Sequence, residues 1–72
     1  MACIDADGTL TPTGRLMLKS LAYGPQPPEA IAKHVSEPLF RVRGSLRELV
    51  GADLIEEEGG LFKLTEMGRE KL

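Results

Sequence analysis

The stretch that decides the fold is Pro28–Leu49, PEAIAKHVSEPLFRVRGSLREL. Apolar residues recur in it at steps of three and four, which is the spacing of one face of a helix. This pattern predicts a helix over residues 28–35 and a second over about 38–50, with a tight turn at residues 36–38. Ser36 or Glu37 is expected to cap the second helix, and Pro38 suits its first turn. The two helices together form a helix-turn-helix.

The two predicted helices each have a buried side and a solvent side. The predicted core positions are Ala30, Ile31, Val35, Leu39, Val42, Leu46, Leu49 and Val50. The opposite side of the second helix carries Phe40, Arg43, Gly44 and Arg47, with Arg41 further round but still outside. This outer face is where a binding function is expected.

Length and composition limit the protein class. A chain of 72 residues allows one domain with a small core, burying only about 60% of its unfolded surface. The single cysteine, Cys3, cannot form an internal disulfide, so a cytoplasmic location is expected, with the thiol partly buried near a mobile terminus. His34 is the only histidine, which predicts no metal site and no cofactor. Apolar runs reach only three residues, which predicts no membrane span.

The charge distribution is more informative than the net charge of −2. Residues 33–47 carry four basic side chains against one acid, a local balance of +3, and residues 53–58 carry four acids and no base. A polyanion is the expected partner of the first segment, whereas the second would repel it.

The N-terminal stretch Asp5–Thr11, DADGTLT, resembles the first motif of haloacid-dehalogenase-type phosphatases. That resemblance implies a nucleophilic Asp5, a proton-donating Asp7 and a Mg²⁺ ion. The motif belongs at the end of a strand in a parallel sheet, and this chain is too short for the long crossovers of such a sheet. We therefore expect residues 1–11 to form an N-terminal arm or edge strand, and we expect no enzymatic activity.

A further helix and a short linker are predicted before the central pair of helices. Thr11 or Thr13 is expected to cap a first helix, which the pattern places over residues 14–23, and Gly24 to end it. Its predicted core positions are Met17, Leu18, Leu21 and Ala22, with Leu16 half exposed. The connection Gln26-Pro27 is predicted to be an extended linker.

A hairpin is predicted after the second central helix, because Gly59-Gly60 separates two apolar runs. A two-residue turn puts Ile55 opposite Leu64 and Glu56 opposite Lys63. The expected core side chains are Ile55, Phe62 and Leu64. Thr65 is then expected to cap a last helix over residues 66–72, with Met67 and Leu72 packed inward.

These elements in this order resemble winged helix-turn-helix transcriptional regulators, the MarR-like group among them. The resemblance covers residues 12–72 and rests on Ala32, Val35, Val42, Leu46, Leu49 and Leu54-Ile55, and on Phe62–Leu72, FKLTEMGREKL. It implies an α+β, mostly helical fold with a three-helix core, a two-stranded wing and a short C-terminal helix. The usual turn glycine of that group is Ser36 here.

The resemblance implies sequence-specific binding of double-stranded DNA, with the helix at about 38–50 in the major groove. The expected DNA-contacting residues are Lys33, Phe40, Arg41, Arg43, Gly44, Ser45 and Arg47. Glu56–Glu58 would keep the wing off the phosphates, so a symmetric homodimer is expected to supply the affinity, through Leu16 or the region of Leu72.

Two other interpretations of the arginines are open. They could only solubilise the helix, with Arg43 paired to Glu37 or Glu48. Phe40 with Arg43 and Arg47 could instead anchor an acidic protein partner, because aromatic and arginine side chains together are typical of binding hot spots.

Overall fold

A computed structural model describes residues 3–72, and over that range the chain is an α+β fold that is mostly helical, with four α-helices and one antiparallel hairpin. The elements are α1 (Pro12–Ser20), a 3₁₀ turn (Leu21–Tyr23), α2 (Pro28–Val35), α3 (Leu39–Gly51), β1 (Ile55–Glu58), β2 (Leu61–Leu64) and α4 (Glu66–Glu70). α1 packs on α2, α2 on α3, and α3 on β1. In the part of the chain described, no helix has both the length and the apolar character needed to cross a bilayer.

The two central helices lie close to their predicted limits, but their junction differs in detail. Ser36 adopts the left-handed conformation at φ 57°, and its N–H donates to the Ala32 carbonyl. Pro38 precedes α3 as its N-cap, and no side chain caps this helix end, so the predicted capping by Ser36 or Glu37 is wrong. The left-handed turn is what redirects the chain between the helices.

The buried side of α3 holds Val42, Leu46 and Leu49, as predicted. Leu39 is only half buried and Val50 is exposed, so the predicted stripe was too wide on that side. On its other side the stripe extends to Ser45, which is 1% exposed. Compared with the prediction, the buried face of α3 is therefore centred further from Val50 and closer to Ser45.

The N-terminal segment folds back instead of forming a free arm. Ile4 and Leu10 form an isolated antiparallel bridge, and the Thr11 N–H donates to the Cys3 carbonyl. Cys3 is fully buried, with its Sγ 3.6 Å from Sδ of Met17, so its expected partial burial at a mobile end is wrong. Residues 1 and 2 of the predicted arm lie outside the described residues.

α1 begins at Pro12, and Thr11 caps it by accepting a hydrogen bond from the Gly14 N–H at 3.1 Å. Met17, Leu18 and Leu21 are buried as predicted, whereas Ala22 is exposed. The helix tightens to a 3₁₀ turn at Leu21, and this tightening shifts the next residue out of the helical stripe.

The hairpin has the predicted register, with Ile55 opposite Leu64 and Glu56 opposite Lys63. Gly59 and Gly60 both have positive φ, as a tight two-residue turn requires. The sequence did not predict that Gln26, in the linker before α2, pairs with Phe62 through two backbone hydrogen bonds of 3.0 and 2.8 Å. This bridge ties the hairpin to the helices.

Thr65 caps α4 by accepting a hydrogen bond from the Gly68 N–H at 3.0 Å, as predicted. Met67 and Leu72 are both exposed, so their predicted inward packing is wrong. Gly68 is the buried residue of α4, because the backbone of this short helix lies directly against the Leu54 carbonyl.

Candidate functional site

The outer face of α3 carries Arg41, Arg43 and Arg47, and all three are exposed. None of them is within ion-pair distance of a carboxylate in residues 3–72, where the ion pairs all involve Lys63. Arg43 therefore forms no ion pair with Glu37 or Glu48, although such a pair was one of the alternatives that the sequence left open. Arg43 and Arg47 are one helical turn apart and point the same way, so two guanidinium groups are available for a partner.

Phe40 lies in the first turn of α3 and is 72% exposed. The guanidinium carbon of Arg41 is 5.8 Å from the centroid of its ring, within the range of a cation–π interaction. A large apolar ring and a cation are thus presented together at the N-terminal end of the helix. Such a pair can stack on a flat group or anchor a protein contact.

Two other predicted site residues, Lys33 and Gly44, differ in their exposure to solvent. Lys33 is exposed on α2, close in sequence to the turn. Gly44 is half buried, yet a Cβ built there would meet no atom within 4 Å, so the fold does not require glycine at this position.

Ser45 cannot contact DNA in this structure, which corrects its predicted place in the site. It lies on the core side of α3, and its hydroxyl oxygen has no hydrogen-bond partner among the described residues. Burial raises the pKa of the neighbouring Cys3 thiol. A buried thiol with a raised pKa is a poor nucleophile.

A groove of about 210 Å³ separates α3 from the hairpin. Its lining residues are Pro28, Arg43, Leu46, Arg47, Glu57 and Phe62. Glu57 is the one wing carboxylate that lines this groove, although it forms no ion pair with either arginine in the described chain. The groove therefore has apolar walls, two cations on one side and one anion on the other.

The other two wing carboxylates lie on the opposite face of the hairpin because side chains alternate along a strand. Nζ of Lys63 is 3.3 Å from Glu56 Oε1 and 3.5 Å from Glu58 Oε1. The hydrogen bond that Lys63 donates to Glu56, and then the charge of Glu58, raise the pKa of Lys63. Only Glu57 thus opposes an anion directly at the arginine face.

The phosphatase-like motif forms an exposed turn between Ile4 and Leu10. Oδ1 of Asp7 accepts hydrogen bonds from the Thr9 hydroxyl at 2.7 Å and the Thr9 N–H at 3.1 Å, and these bonds lower the pKa of Asp7. Residues 3–72 contain no group of three or more His, Cys, Asp or Glu side chains that could hold a metal ion. Asp7, Gly8 and Thr9 thus form a local turn held by side-chain and backbone hydrogen bonds.

A second groove, of about 320 Å³, lies between α1 and the folded-back N-terminal segment. It is lined by Leu10, Pro12, Arg15, Leu16 and Lys19. Sequence reasoning noted Leu16 but missed the groove, although its lining residues all lie between Leu10 and Lys19. The spacing of Arg15 and Lys19, four residues apart, was the available signal.

No protein-family model matches this chain, and a comparison with curated proteins finds no significant match. The assignment of function therefore depends on the geometry of the α3 face.

Proposed function

We propose that the protein is a small winged helix-turn-helix regulator that binds double-stranded DNA through α3. The observation that supports this most directly is the set of three exposed arginines on α3, none paired with a carboxylate in residues 3–72. Exposed cations without carboxylate partners give this face a local positive potential, which attracts a polyanion. Cytoplasmic location and the absence of enzymatic activity are parts of the same proposal.

In this proposal α3 enters the major groove with its outer face against the base edges. Arg43 and Arg47 contact guanine edges or phosphates, while Arg41 and Lys33 hold the flanking backbone. Gly44, between the two arginines of the face, allows close approach of the duplex because it has no side chain. Phe40 packs against a sugar or a thymine methyl group.

The salt dependence of binding to duplex DNA tests the proposal. A labelled mixed-sequence duplex is titrated with the protein at about 50 mM and about 200 mM salt, and affinity should fall about 40- to 150-fold for some three to four phosphate contacts. In a backbone amide spectrum recorded in parallel, the shifts should concentrate in residues 40–47. Absence of binding at the lower salt concentration, or shifts spread evenly over the chain, would contradict the proposal.

Glu57→Gln should raise the affinity for duplex DNA by about three- to tenfold at low salt, because it removes the one carboxylate that lines the arginine groove. Glu56→Gln is the matched control, since its carboxylate is on the other face with Lys63. Fluorescence anisotropy with the same duplex measures both variants. Equal gains in the two variants would mean that only the net charge matters and that Glu57 has no particular place at the interface.

A second candidate function is binding of an acidic protein partner, and the exposed ring of Phe40 beside Arg41 favours it. An aromatic side chain that is 72% exposed is expected at a protein hot spot. Phe40→Ala distinguishes the two functions. If the arginines form a DNA interface, Phe40→Ala should lower the affinity for duplex DNA by less than about tenfold. If Phe40 anchors a protein contact, the same change should lower the affinity for the acidic protein partner by more than that.

A further inference from the structure

The groove on α1 carries charge of one sign only. Arg15 and Lys19 flank it, α1 contains no acidic residue, and neither cation forms an ion pair within residues 3–72. Leu16, which lines the same groove, is 47% exposed. The groove thus combines an uncovered apolar side chain with two unneutralised positive charges.

The end of the hairpin has the complementary properties. Glu58 and Leu61 are directly opposite each other beside the turn, and Leu61 is 40% exposed. Lys63 is shared by two of the three wing carboxylates, so the hairpin keeps a net charge of −2. Its tip therefore offers an apolar side chain beside a carboxylate on a hairpin of net negative charge, which is the chemistry that the groove would accept.

From these two surfaces we infer that the wing tip of one copy docks into the α1 groove of a second copy. Leu61 packs against Leu16 and Leu10, and Glu58 lies between Arg15 and Lys19. The two surfaces are different, so the contact is heterologous and joins copies head to tail. It replaces the symmetric homodimer expected from the sequence. Each pair of copies keeps one free tip and one free groove, so longer chains of copies can form.

The contact is small and charged, which sets its expected strength. Contacts below the standard interface size are weak, and attraction between exposed charges is screened by salt. Self-association should therefore appear only at high protein concentration and should decrease as salt is added. If the proposed function is also correct, head-to-tail copies would read direct repeats in the DNA, because a heterologous contact has no two-fold axis.

Sedimentation of the protein without DNA tests this inference independently of DNA binding. The weight-average mass of the wild-type chain should rise with protein concentration at about 50 mM salt and return towards that of the monomer at about 300 mM. A groove variant, Arg15→Glu/Lys19→Glu, and a tip variant, Glu58→Lys/Leu61→Ser, should each remain monomeric. Circular dichroism checks that both are folded, and Arg15→Gln/Lys19→Gln replaces the first if it is not.

Mixing the two variants provides the decisive measurement. The groove variant keeps an intact tip and the tip variant keeps an intact groove, so an equimolar mixture should form pairs that cannot grow further. A wild-type chain that stays monomeric throughout overturns the inference. So does a tip variant that still dimerises, because the contact would then be symmetric through α1. A groove variant that loses duplex affinity while the wild-type chain is monomeric also overturns it, and assigns Arg15 and Lys19 to DNA phosphates instead.

Discussion

The double variant Arg43→Ala/Arg47→Ala is expected to lose about 100-fold or more in affinity for duplex DNA. Each arginine is exposed on the outer face of α3 and has no carboxylate partner in residues 3–72, so each is available to a base edge or a phosphate. A contact of this kind contributes about 1–3 kcal/mol, so loss of both contacts is enough for a change of this size. Fluorescence anisotropy at low salt measures the loss.

A matched control separates this effect from the loss of net charge. Arg69→Ala/Lys71→Ala removes the same charge from two exposed residues at the end of the chain, outside α3. It should change the affinity by less than about tenfold, through long-range electrostatics alone. Both double variants should unfold at nearly the wild-type temperature, since exposed unpaired side chains contribute little to stability. Equal losses of affinity in the two variants would show that α3 is not the interface.

Gly68→Ala is expected to destabilise the fold by about 1–3 kcal/mol, although alanine is the better helix former. A Cβ at this position would overlap the backbone carbonyl of Leu54. That carbonyl cannot move aside freely, because it accepts the Thr65 N–H at 3.1 Å at the point where the chain enters α4. For a domain of this size the loss corresponds to a fall in Tm of about 8–16 °C for 2 kcal/mol.

Gly44→Ala is the matched control for this substitution. Both glycines are helical, but a Cβ at Gly44 would meet no atom within 4 Å. Alanine should therefore stabilise α3 by up to about 1 kcal/mol. Thermal unfolding followed by circular dichroism compares the two variants. If Gly68→Ala were stabilised to the same extent, α4 would not be packed against Leu54 as the structure describes.

Local sequence patterns predicted the elements with strong local signals. The spacing of Ile31 and Val35 predicted α2 within the limits observed, and the two glycines at residues 59–60 predicted the hairpin and its register. Thr65 was correctly predicted as the cap of α4. These features depend on neighbours two to four residues apart, so the residues themselves contain the information. The exposed arginine face of α3 followed from the same periodicity.

Tertiary structure decided the features that depend on distant parts of the chain. Cys3 and Ser45 are buried because the N-terminal segment folds back over α1 and α3, and no local pattern encodes that return. Met67 is exposed because the backbone at Gly68, rather than a side chain, packs against Leu54.

The candidate sites divide in the same way. The cations of α3 could be identified from their helical spacing alone. The groove beside α3 could not, because it forms where side chains far apart in the sequence, from Pro28 to Phe62, are brought together by packing. The charge on one face of α3 is a local property of this sequence, whereas the shape of the groove beside it is set by packing between distant segments.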